Sequence, residues 1–160
     1  MRLTVAAIGR LRGGPELELI NDYSTRIRAA GRQLGFSSFD VREFEAPKGL
    51  TGAKRQERES ALLAQAAPPP AKRILLDERG KNLSSEAFAN QIARWRDDGA
   101  GDAVFMIGGA DGHDQALAAK ADLIMAFGKA TFPHMLVRTM LVEQIYRAMT
   151  ILAGHPYHRG

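Results

Sequence analysis

Ala103-Val104-Phe105-Met106-Ile107-Gly108-Gly109-Ala110-Asp111-Gly112 carries the reading of the fold, because five consecutive apolar residues end abruptly on a glycine pair. A continuous apolar run of that length suits a strand covered on both faces, as in the parallel sheets of α/β proteins. A strand that ends on Gly-Gly either turns tightly or opens its backbone to a ligand, since neither residue carries a side chain and both tolerate positive φ. The loop is neither a Walker loop nor a dinucleotide fingerprint: the Lys-Ser/Thr ending and the Gly-x-Gly-x-x-Gly spacing are absent. Phosphate binding is therefore disfavoured.

Working outward, residues 73–77 form a second such run (Ile74, Leu75, Leu76), residues 3–8 a third ending at Gly9, and residues 123–127 a fourth. Residues 39–44 alternate, as a strand does. Between them lie helical periods. Residues 16–30 carry Leu17, Leu19, Ile20, Tyr23 and Ile27 at helical spacing; residues 50–66 are charged and alanine-rich and stop at Pro68-Pro69-Pro70; Ser84 caps a helix to about Asp98 that buries Phe88, Ile92 and Trp95. A short helix is expected over 114–120 and a long one over 135–153, introduced by Pro133. Strand and helix alternate from end to end, so the fold class is α/β, a mainly parallel sheet with helices on both faces. The 160 residues suit a single domain, 1–160, without internal repeats.

The last helix carries an apolar row at Val137, Leu141, Ile145, Ala148 and Leu152, with Leu136, Met140, Met149 and Ile151 placed around it. An outer helix of a monomer needs one such face. The excess predicts a second subunit.

The chain has no cysteine, which excludes disulfides, thiolate nucleophiles and cysteine zinc sites and fits a reducing compartment. Its apolar N-terminal run is too short for a signal-peptide core or a membrane span, so a cytoplasmic protein with no membrane partner is expected. A net charge of +4 favours a polyanionic partner without demanding one.

In open parallel sheets ligands bind beyond the carboxyl ends of the strands. Three loops lie there in this reading: residues 76–80, 107–112 and 128–133. Near them His134 and Arg138 open the last helix, where an arginine and free amides can hold an anion such as an RNA phosphate. Glu143 and Arg147 have the i,i+4 spacing of an ordinary ion pair. The ending His155-Pro156-Tyr157-His158-Arg159 can stack on a base, pair with phosphate and move a proton. It lacks further ligands for a metal, and none is expected.

The runs Leu76-Asp77-Glu78-Arg79-Gly80-Lys81-Asn82-Leu83-Ser84-Ser85-Glu86, Ile107-Gly108-Gly109-Ala110-Asp111-Gly112, Pro133-His134-Met135-Leu136-Val137-Arg138 with Glu143-Gln144-Ile145-Tyr146-Arg147-Ala148, and Pro156-Tyr157-His158-Arg159 together resemble the ribosomal RNA large subunit methyltransferase H family of the SPOUT class. The resemblance spans essentially the whole chain in order. It implies a trefoil α/β knot near the C-terminus and a homodimer whose subunits complete each other's sites. It also implies S-adenosyl-L-methionine (SAM) as methyl donor, and as substrate N3 of a pseudouridine in helix 69 of 23S rRNA on the assembled ribosome; no DNA partner is implied. By motif, Leu76, Gly108, Gly109 and the loop Phe127, Gly128, Lys129, Ala130, Thr131, Phe132 would form the SAM pocket. His134, Arg138, Tyr157, His158 and Arg159 would face RNA, the last three supplied to the partner's pocket. His158 is the nominated base, with Arg138 or Arg159 as electrostatic helper. Lys129 departs from the small, serine-rich loop of relatives, which leaves its role toward donor or RNA open. Two rival readings are a dimeric RNA-binding module without catalysis, which would not bind SAM, and a nucleotide-binding oxidoreductase, which the missing glycine fingerprint opposes.

Overall fold

A computed structural model describes residues 1–158. Its elements follow in the order β1 (Arg2–Ile8), α1 (Pro15–Gly31), β2 (Ser38–Phe44), α2 (Gly52–Ala66), β3 (Lys72–Asn82), α3 (Ser85–Asp97), β4 (Asp102–Ile107), α4 (Gln115–Ala118), β5 (Leu123–Ala126) and α5 (His134–Leu152). The strands form one sheet in the order β2-β1-β4-β3-β5. Every pairing is parallel.

The apolar runs are continuous because both sheet faces are covered. Leu3, Val5, Ala7, Ile74, Phe105 and Ile107 point into a core closed by α1, α3 and α5. The intervening Ala6, Ile8, Leu75, Val104 and Met106 point the other way, onto Leu63 of α2 and Leu117 of α4. Each large side chain so buried contributes about 1.5–3 kcal/mol. Since all five strands run the same way, their carboxyl ends share one rim. The loops after β3, β4 and β5 are neighbours there.

Helix ends follow local chemistry. Ser84 Oγ accepts the Ala87 amide at 3.1 Å, and the Asp114 carboxylate accepts the Leu117 amide at 2.7 Å. Pro133 sits at the N-cap of α5, one position before the helix proper.

The structure corrects two expectations about these elements. Residues 77–80 do not end the third strand. The ladder with β5 pairs Leu76 with Met125, loops out, and resumes with Lys81 again opposite Met125. The chain at Gly80 consequently lies on the β5 backbone: a Cβ there would stand 2.6–2.7 Å from the N, Cα and C of Met125. Only glycine permits that approach. In α5, Met149 belongs to the inner face with Leu141, Val142, Ile145 and Ala148. Of the expected surplus, Leu136 is 42% exposed at the start of the helix, beside Met135 at 46%; Leu19 of α1 is 46% exposed. Among the described residues no helix is long and apolar enough to cross a membrane.

Candidate active site

The rim formed by β3, β4 and β5 holds a cleft of about 290 Å³. Leu76, at the bulge of β3, and Ile107, at the end of β4, line it together with residues 108–112. Phe127, Gly128, Ala130, Thr131 and Phe132 line it as well, with His134 and Val137 of α5. Leu76, Gly108, Gly109 and all of the loop expected from 127 to 132 are thus brought together except Lys129. That side chain is exposed and does not line the cleft.

Crowding rather than positive φ favours glycine at 108 and 109; of the turn's residues only Gly112 adopts a positive φ, at 73°. A Cβ on Gly108 would stand 3.0 Å from the Gly112 carbonyl oxygen, and one on Gly109 would press into the Glu59 carboxylate. The turn is packed from behind, so its free side is the cleft.

The charged side chains at the rim are Asp77, Glu78, Arg79 and Asp111, and both aspartates are paired with arginines. Asp77 takes the Arg79 amide at 2.9 Å and the Arg79 guanidinium at 3.1 and 3.3 Å, which holds its carboxyl below the usual range. Asp111 takes Arg55 Nε at 2.6 Å. Apolar side chains such as Leu76, Ile107, Phe127 and Phe132 suit an aromatic base, and three carboxylates against two arginines leave the rim weakly negative, which favours a positive charge over a polyphosphate. An adenosyl sulfonium meets that description, so the residues present fit SAM.

Behind the cleft lie two buried side chains to which sequence reasoning assigned no role. Glu59 is 2% and His113 6% exposed. His113 Nε2 meets the Leu76 carbonyl at 3.2 Å, while burial pushes its imidazole pKa down. Glu59 sat unmarked in a charged helix, and nothing about its spacing set it apart.

Arg138 is the main correction among the nominated residues. It is 2% exposed, and its guanidinium pairs with Glu43 and donates to the carbonyls of Ile8 at 3.3 Å and Gly9 at 3.1 Å. Turned inward and neutralised there, it presents no charge to an RNA or to the reacting atoms. It ties the first turns of α5 to the ends of β1 and β2. His134, by contrast, is exposed at the cleft.

The tail forms a second cluster, on the side of α5. Tyr157 Oη donates to Glu143 at 3.0 Å and lies 3.4 Å from Tyr23 Oη; its ring meets Tyr146 edge-on and Arg147 at 4.8 Å. Burial foremost, then Tyr23 and Glu143, raise the Tyr157 phenol. His158 lies 2.5 Å from Glu86 through Nε2 and 3.4 Å from Arg147 Nη1 through Nδ1. Glu86 is held down to about 2 by the α3 N-terminal amide, Ser84 and His158. The i,i+4 pair of Glu143 and Arg147, 2.7 Å apart, is therefore also the cradle of the tail. Glu143 stands nine residues along α5 from His134, about 13 Å at the helical rise. Within one protomer, cleft and tail are not joined. Arg159 lies outside the described residues. Among the described residues no group of three or more His, Asp or Glu could hold a metal ion.

Comparison with known proteins adds to this geometry. Residues 1–158 match the family model described as a predicted SPOUT methyltransferase. The chain is 52% identical over 160 residues to ribosomal RNA large subunit methyltransferase H of Nitrobacter hamburgensis, covering all of both chains. It is 50% identical to the protein of the same name from Bradyrhizobium diazoefficiens, again over all of both. The Maricaulis maris protein of that name is 51% identical over 159 residues, 99% of each. The crystal structure of the SpoU methyltransferase AviRb from Streptomyces viridochromogenes superposes on 96% of this chain and 60% of its own at a TM-score of 0.41 and 12% identity, too loosely to add to the case.

Proposed function

The chain belongs to the SPOUT methyltransferase family, and from that premise we propose that it is a SAM-dependent 23S rRNA methyltransferase acting on N3 of a pseudouridine in helix 69 of the assembled ribosome. The observation that carries the reading is the cleft, which brings residues 108–112, 126–128 and 130–132 together with Asp77, Glu78 and Asp111 at its rim. Relatives named ribosomal RNA large subunit methyltransferase H, at half identity over the full length, support the RNA substrate. In this reading residues 1–160 are one catalytic domain working in the cytoplasm.

Bound SAM supplies a methyl group already activated by its sulfonium. The chain's own residues then have three tasks. Leu76, Gly108, Gly109 and the loop from Phe127 to Phe132 hold the donor and exclude water. His134 at the cleft and Tyr157, His158 and Arg159 of the tail bind the RNA and orient the base for in-line attack. The N3 proton must leave, and His158 is assigned that transfer. In the single chain both of its ring nitrogens are engaged, by Glu86 and Arg147. Release of the tail toward a partner's cleft would free them.

That step makes the homodimer part of the proposal. Exposed Met135 and Leu136, between the cleft residues His134 and Val137, supply apolar surface for a second copy to cover. The knot belongs to the same reading, and the contact of Gly80 with the Met125 backbone supports a chain crossing there.

Titration of the purified protein with SAM by calorimetry, with sedimentation of the same sample, tests the donor site and the dimer. One SAM per protomer at the mass of a dimer is expected. A folded protein that gives no heat would return the chain to the class of RNA-binding modules.

A further inference from the structure

Helix α2 lays one face against the turn that walls the cleft. Gln56 Nε2 donates to the Asp111 carbonyl at 2.8 Å, and Ser60 Oγ accepts the Asp114 amide at 2.9 Å. Arg55 is committed to the Asp111 carboxylate. On the same face, between these contacts, lies Glu59. Among the described residues no cation is in hydrogen-bonding contact with it, and its Oε2 has no hydrogen-bond partner.

A buried carboxylate without a paired cation costs stability, and a neutral residue of the same shape normally costs less. Such a group beside a cleft is a candidate for a functional role. The Glu59 carboxylate faces the Gly109 main chain, where a Cβ would stand 2.8 Å from its carboxyl carbon. Gly109 itself lines the cleft.

We propose that Glu59 is a positioning residue of the cleft, which orients the Gly109 peptide from behind and sets the affinity for a cationic methyl donor without touching it. The inference rests on the donor-site reading above. Three other charged or titratable groups face the carboxylate: Arg55 on its own helix, Asp111 on the turn and His134 at the start of α5. Burial raises its carboxyl and Asp111 adds to this, while the Gly109 amide, Arg55 and His134 oppose it.

The test compares wild type with Glu59→Gln and Glu59→Ala, using SAM titration by calorimetry, steady-state KM and kcat, ligand-free melting temperature and amide exchange at Gly109. Glu59→Gln should melt at or above the wild-type temperature, bind SAM about tenfold more weakly with a matching rise in KM, and keep kcat at saturating SAM. Its Gly109 amide should exchange faster. Wild-type SAM affinity in Glu59→Gln, or an affinity loss accompanied by a matching loss of melting temperature, would overturn the proposal. Should Glu59→Ala fail to fold, Glu59→Gln carries the test. Absence of SAM binding by wild type would instead overturn the donor-site reading; Gly109 exchange needs no ligand, and an unchanged rate in Glu59→Gln would still sink the role of Glu59.

Discussion

The Arg138 guanidinium closes on the Glu43 carboxylate between the first turns of α5 and the end of β2, ninety-five residues away in sequence. Removing one member of a buried pair strands the other, typically at about 3–5 kcal/mol. Arg138→Ala should lose stability on that scale in urea unfolding. Arg138→Lys should recover little, because a single ammonium cannot meet Glu43 and the Ile8 and Gly9 carbonyls together. The double replacement Arg138→Met with Glu43→Leu should regain most of it. If Arg138→Ala unfolded like wild type, the inward assignment of this arginine would be wrong.

Gly80 and Met125 give a second prediction, this one steric. A methyl at Gly80 must displace the β5 backbone, so Gly80→Ala should cost at least about 1–3 kcal/mol in urea unfolding. An unchanged midpoint would mean that β3 does not lie on β5 as described.

His113 sets a pH dependence. Burial lowers its pKa in the folded protein, so below about 6.5 the unfolded chain binds the proton more readily. Stability present above that pH is therefore lost as pH falls, by at most about 1.4 kcal/mol per pH unit. The stability difference between wild type and His113→Asn should shift against wild type from pH 7.5 to 5. The comparison cancels Glu59, whose raised pKa acts in the opposite sense. A difference independent of pH would contradict a neutral, buried His113.

The tail prediction concerns rate. His158→Ala should fold and bind SAM as wild type does, yet lose about 10²–10⁴-fold in single-turnover methylation, the usual share of a proton-transfer group. Retention of the wild-type rate would remove His158 as the base.

How much of this was legible in the sequence depended on whether a feature was local. Strand runs such as 103–107 and the Ser84 cap depend on neighbours in sequence, and both stand where periodicity put them. Two of the cleft's loops were legible for the same reason, since the ends of β4 and β5 in a parallel sheet define them. The full length of β3 was hidden because Asp77-Glu78-Arg79-Gly80-Lys81-Asn82 has the polarity of a loop and pairs only after a bulge. Arg138 read as a surface cation because its partner, Glu43, is distant in sequence. Glu59 and His113 had no local mark at all, and their roles come from the turn that folds over them.

The central claim is tested most directly by incubating the protein with ribosomes that lack the modification and SAM labelled in its methyl group, followed by mass mapping of the rRNA. The account predicts label at N3 of a helix 69 pseudouridine. No transfer from a folded dimer that binds SAM, or label confined to another nucleotide, would contradict it.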